Sequence, residues 1–258
     1  NAELTATPRC GLQRYTAVEE GTMHLLVDLG FAINWDRPVD CMLSWNGTVL
    51  SGRRISSGWA EKQFIFFSSD FSKRPASVTM LNTGTVVAGN MTEGRNIACI
   101  LEFEMKKGEE IIVKTGISAV DDAGAAGNLA SEVPGWDFDG YAAAAQQAWQ
   151  KRLCVISAES TDSSLLKIFY TALYHTMIAP NLYSDADGRY RGTDREIHKA
   201  EGFTNYTVFS LWDTYRAAHP LFTLTAPDMV PDFINTMLNI RKQQGNLPVW
   251  SLAGNESN

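Results

Sequence analysis

Between Ser131 and Asp137 the repeat that organises this sequence changes, and that change constrains the fold more than any other feature. Before it, apolar residues come in short or alternating runs broken by Gly, Asn, Asp and Pro. His24–Gly30, Val39–Trp45, Gln63–Phe67, Ala76–Leu81, Ile97–Met105 and Glu110–Ser118 are such runs. Several strands at intervals of about 10 to 20 residues, with no helical period, predict an antiparallel β-sandwich. Glu102–Met105 and Ile111–Thr115, joined through Lys107-Gly108, read as a hairpin with one solvated face.

After the break the period becomes helical. Pro134-Gly135 precedes the Ala-rich stretch Asp137–Leu153, a strong helix former. Ser160-Thr161-Asp162-Ser163 offers capping side chains to an amphipathic helix through Leu166, Phe169 and Leu173, stopped by Pro180. A loop rich in Asp and Gly runs from Ser184 to Gly202. A further helix is expected from near Asn205 to His219-Pro220. Another is expected after Pro227-Asp228, through Phe233, Met237 and Ile240, ending at Gly245 behind Arg241 and Lys242. Long polar-aromatic loops between helices argue against a four-helix up-and-down bundle. Trp250–Glu256 is neither a helix end nor a polar tail, so the chain reads as part of a longer polypeptide.

Charge and motif content remove several function classes. Lys plus Arg number 22 against 29 Asp plus Glu, and no basic stripe is present to neutralise phosphates, which excludes a nucleic-acid partner. No apolar run approaches the roughly 20 residues that span a bilayer. Cys10, Cys41, Cys99 and Cys154 have no metal-ligand spacing and read as unpaired thiols. No nucleophile elbow or phosphate-binding Gly loop occurs. Asp185–Arg189 opens like a calcium loop but lacks the later ligands, so it reads as a polar turn. His175 lies on an apolar helix stripe and reads as a core histidine; His198, in a polar loop, reads as solvated. The 7 Trp, 8 Tyr and 12 Phe beside many carboxylates and amides suit sugars, whose C–H faces stack on rings.

Three places put an indole near polar groups: Trp212-Asp213, Trp250 with Asn255-Glu256, and Trp59 in Ser57–Ala60. On a helix, Trp212 and Asp213 point about 100° apart, so both do not face the core, and ring and carboxylate can flank one ligand. The alternative is a packed Trp212 with Asp213 paired to Arg216 at i,i+3. For Trp250 and Glu256 the alternative is a loop Trp capping the core beside a solvated Glu.

Phe169–His175, Pro180-Asn181, Phe209–Leu221, Gly245–Trp250 and Gly254-Asn255-Glu256 together closely resemble glycoside hydrolase family 92, the calcium-dependent exo-α-mannosidases. The resemblance extends upstream through Ser57–Ala60, Gln63, Phe67, Phe71-Ser72 and Glu132–Phe138, in the family's order. It implies a β-sandwich followed by an all-α part: a sandwich over 1–132 lacking its first strands, a helical linker over 133–159, and over 160–258 the first helices of an (α/α)6 toroid. It implies inverting hydrolysis of terminal α-mannosides of N-glycans or mannan, with a general acid and a general base on opposite faces of the sugar. Calcium would bind the mannose O2 and O3 hydroxyls. The acid, the base and the metal ligands are expected beyond Asn258. Trp212 and Asp213 match the motif that contacts the terminal mannose, and Asn255, Glu256 and Trp250 match a neighbouring substrate-binding motif. The resemblance further implies a mannose-containing oligosaccharide as partner and an exported enzyme, periplasmic or extracellular. The competing reading is a non-catalytic carbohydrate-binding or structural module.

Overall fold

The computed structural model describes residues 1–33 and 35–256, so Ser257 and Asn258, the end of the expected helical region, lie outside the described residues. The chain forms two compact units: residues 1–142 with 185–189, and residues 143–184 with 190 onward.

The first unit is built on eleven strands: β1 (Ala2–Ala6), β2 (Cys10–Thr16), β3 (Gly21–Asp28), β4 (Arg37–Trp45), β5 (Val49–Ser57), β6 (Gln63–Phe71), β7 (Ser77–Asn82), β8 (Thr85–Val87), β9 (Met91–Gly94), β10 (Ile97–Met105) and β11 (Glu110–Ser118). Seven of them form one sheet in the order β1-β2-β11-β6-β5-β4-β9, and four form the other, β3-β10-β7-β8. Period-two alternation explains the two layers. Ile97, Cys99, Leu101, Phe103 and Met105 of β10 are all buried, and they share one core with Leu43, Leu50, Phe67, Ile111 and Val113 of the larger sheet. The expected sandwich is therefore present.

The expected β10–β11 hairpin is not. β10 pairs with β3 and β7, and β11 with β2 and β6. The turn between them carries the chain from one sheet to the other. Both strands turn alternate residues into that one core, Ile97 to Met105 from β10 and Ile111 and Val113 from β11; alternation alone does not distinguish strands that pair from strands that face each other.

The larger sheet's β11 also receives helix α1 (Asp122–Glu132), which the sequence pattern did not announce. Asp121 caps it, accepting from Gly124 N at 2.6 Å. Gly116 of β11 permits the contact, since a Cβ there would collide with the carbonyl of Ala125. Leu129 and Val133 then pack on Cys10, Leu12 and Phe138. Lys114 is buried and donates to Val133 O at 2.9 Å, with its ammonium 4.4 Å from the Trp136 ring centroid.

Helix α2 (Phe138–Leu153) falls where the Ala-rich run placed it. In the second unit, α3 (Ser163–His175) is capped by Asp162, whose side chain accepts from Ser164 N at 2.8 Å. The helix expected from Asn205 to Pro220 is replaced by short strands at Tyr206–Thr207 and Phe209–Ser210, a single turn α4 (Leu211–Thr214), and a separate α5 (Ala218–Thr225). Val208 between the two strands has φ of 63°, which no helix accommodates. Pro220 sits in the first turn of α5, where its missing N–H has no intrahelical partner to lose, so it starts a helix instead of ending one. Helix α6 (Val230–Gln244) carries Pro231 in its first turn and ends at a left-handed Gly245 with φ of 89°. Phe209, Phe222 and Phe233 form this unit's buried aromatic cluster, with His219 stacked on Phe209. Burial holds the His219 imidazole below the usual histidine range.

All four cysteines are unpaired thiols; Cys10, Cys41 and Cys99 are buried and Cys154 is exposed.

Candidate functional site

In the second unit a three-stranded sheet brings together segments about forty residues apart. Phe209–Ser210 pairs with Trp250–Leu252, which pairs with Asn255–Glu256. Ser210 stands opposite Trp250, so Trp212, in the helical turn that follows, reaches the Trp250 ring. The centroids lie 5.4 Å apart at 48°, a tilted pair. Trp212 is 55% exposed, so it does not pack into the core.

Asp213 lies beside this pair on the same turn. Its Oδ2 accepts from Ser210 Oγ at 2.5 Å, and among the described residues it forms no ion pair with Arg216. Ser210 begins the helix without capping an N–H; its hydroxyl orients the carboxylate instead. Oδ1 is thereby left directed away from Ser210 as an acceptor on an exposed side chain.

Trp250 is fixed from behind by Glu256. One carboxylate oxygen accepts from Trp250 N at 2.8 Å, and the other from Val249 N at 3.0 Å and Gln244 Nε2 at 3.3 Å. Asn255 is buried and turns its amide into its own hairpin, donating to Ala253 O at 3.0 Å. That hairpin turns through Ala253 and Gly254, both at positive φ, as a two-residue turn requires. Ala253 N donates to Thr207 Oγ1 at 2.7 Å, which ties the turn to the neighbouring strand.

The profile of the Glycosyl hydrolase family 92 N-terminal domain matches residues 1–118, and that of the Glycosyl hydrolase family 92 catalytic domain matches residues 124–258. The chain belongs to glycosyl hydrolase family 92.

Among solved family 92 structures, an α-mannosidase of Bacteroides thetaiotaomicron is 34% identical and superposes with a TM-score of 0.95, over 99% of this chain and 36% of that one. The same enzyme has been solved in complex with mannoimidazole. A family 92 inverting mannosidase of that bacterium, 23% identical with a TM-score of 0.88 over 98% of this chain and 34% of its own, shares the fold. A curated relative of Arthroderma benhamiae, described as an uncharacterized secreted glycosidase, is 32% identical over 78 residues, 29% of this chain and 10% of that protein. The chain thus spans about a third of the length of the solved family 92 enzymes it matches.

Of the five family 92 site residues expected from the sequence, Trp212, Asp213 and Trp250 stand together, Glu256 braces Trp250, and Asn255 serves its turn. Sequence reasoning missed Ser210, though a Ser three residues before an Asp at a helix start is a legible signal. His198, expected to be solvated, bonds to Asp194 at 2.9 Å, with its ring centroid 5.7 Å from that of Tyr190. His175 is exposed, not a core histidine. Trp59 lies on an exposed turn of the first unit, 5.7 Å from the Trp35 ring. Asp185, expected in a polar turn, has its carboxylate buried, accepting from Ser118 Oγ at 2.7 Å and Asn128 Nδ2 at 2.8 Å. Among the described residues no group of three or more His, Cys, Asp or Glu side chains could hold a metal ion.

Proposed function

We propose that the protein is an exo-acting α-mannosidase that hydrolyses terminal α-mannosides of N-glycans or mannan with inversion, and that residues 206–256 supply part of its sugar pocket. The observation that carries this reading is the likeness to a family 92 α-mannosidase along 99% of the chain at 34% identity, a protein that also binds mannoimidazole. The local chemistry supports it. Two tilted indoles offer apolar ring surface to a pyranose C–H face, and Asp213 beside them offers a charged acceptor to its hydroxyls. Ser210 holds that acceptor in one rotamer, so little orientation is lost when a sugar arrives.

In this proposal the acid, the base and the calcium ligands are supplied from outside the described residues, among which no group of three or more His, Cys, Asp or Glu side chains could hold a metal ion. No step is therefore assigned to the metal here. Export of the enzyme belongs to the same proposal, and the curated relative described as secreted supports it. Among the described residues no helix is long and apolar enough to cross a membrane.

Asp213→Ala in the full-length protein tests the site. A charged acceptor to a hydroxyl is worth about 1.5–3 kcal/mol, so kcat/KM on an α-mannoside should fall roughly tenfold to a hundredfold. Melting should change little, because an exposed carboxylate loses only its bond to Ser210. Unchanged kinetics would remove Asp213 from the pocket.

A further inference from the structure

We infer that Glu256 is a positioning residue: it sets the Trp250 indole against Trp212 through backbone hydrogen bonds and does not itself contact the sugar. The inference rests on the mannosidase reading for the identity of the ligand, and on the hydrogen-bond geometry for the role.

Residues 246–249 lie between α6 and the strand at Trp250 without regular structure of their own, and Pro248 brings no N–H to fix them. Two sets of bonds hold the end of that segment. On one side Leu211 N donates to Val249 O at 2.9 Å, and Trp250 pairs with Ser210. On the other side both N–H groups of Val249 and Trp250 point at one carboxylate, that of Glu256. Bonds from N–H to an ionised acceptor are roughly twice as strong as neutral ones, so this clamp dominates the local backbone. Gln244, in the last turn of α6, donates to the same carboxylate and ties the clamp to a long helix. Backbone direction at residue 250 decides where its Cβ points, and hence the 5.4 Å approach to Trp212. A carboxylate turned towards three protein donors in this way is aimed at the strand, not at a ligand.

Two indoles this close couple their excited states, so the pair should give an exciton couplet near 230 nm in circular dichroism. The wild-type minus Trp212→Phe difference spectrum isolates it. The test compares Glu256→Ala and Glu256→Gln in the full-length protein by that couplet and by kinetics on an aryl α-mannoside. Positioning predicts that Glu256→Ala loses the couplet and at least about tenfold in kcat/KM. Glu256→Gln, which keeps one acceptor oxygen, should retain a weakened couplet and lose less activity, with the two readouts falling together. A full couplet in either variant beside a large loss of kcat/KM would mean direct contact with the sugar and would overturn the inference. An unchanged couplet with unchanged kinetics would overturn it too. If Glu256→Ala does not fold, Glu256→Gln alone separates these outcomes. A wild-type protein that turns over no mannoside would sink the mannosidase reading, while the couplet would still decide whether Glu256 orients Trp250.

Discussion

Asp185 holds its carboxyl out of reach of water, and burial pushes it above the ordinary carboxylate range against the pull of its bonds from Ser118 and Asn128. Asp121, three residues past the end of β11, goes the other way: the Arg189 guanidinium bonded to it holds its carboxyl below that range. Linkage gives the two opposite pH signatures. A raised native pKa favours the protonated acid, so Asp185 contributes most to stability below its unfolded value of about 4 and loses that contribution as pH rises through its native pKa. A depressed one favours the charge, so Asp121 contributes above about pH 4 and loses its share as acidification passes its native pKa. Asp185→Asn removes the buried charge and keeps an acceptor for Asn128. Its stability should lie within about 1 kcal/mol of wild type at pH 7 and fall behind wild type as pH drops. Asp185→Ala leaves buried Ser118 and Asn128 without their acceptor and should cost about 1–3 kcal/mol at either pH. Urea unfolding of both variants at pH 4 and pH 7 checks the pattern. The motif-based reading of residues 185–189 as a turn was sound; what the sequence could not convey was that its first carboxylate is enclosed by residues about sixty positions earlier.

The contact between β11 and α1 has its own test, because it depends on the absence of one side chain. Gly116→Ala would drive a methyl into the Ala125 carbonyl, and overpacking of this kind typically costs about 1–3 kcal/mol. A thermal melt of the variant should show a lower midpoint with the rest of the sandwich retained by circular dichroism. Elements were legible wherever their signals are local. The break at Pro134-Gly135, the Ala run of α2, the caps of α3 and the Gly245 stop of α6 all act within one turn of the residue that carries them. The misreadings share a different cause. Alternation in β10 and β11 is the same whether strands pair or face each other, α1 is diluted by Gly124 and Gly127, and Pro220 starts a helix as readily as it ends one. The site divides along the same line. The indole-carboxylate neighbours were visible in the sequence, whereas the Trp212–Trp250 contact and the Glu256 clamp depend on a strand pairing that no local pattern records.

At the scale of the whole molecule the proposed activity needs more than these residues hold, since the solved relatives are nearly three times longer. Calcium makes that concrete. Treating the full-length protein with a chelator should abolish mannoside turnover, and adding calcium back should restore it; turnover unaffected by chelation would count against the proposed mechanism. The two compact units also differ from a simple succession along the chain. Residues 185–189 belong with the sandwich, although the chain has already entered the second unit before it reaches them and returns to that unit directly afterwards. A gene fragment ending at residue 142 would encode all eleven strands and still lack Asp185 and Arg189, the partners of Ser118, Asn128 and Asp121. The sandwich is therefore not a cassette. Recombination that exchanged it between relatives would succeed only where the incoming helical region brings a matching Asp and Arg, so the two units should be inherited together and substituted in concert.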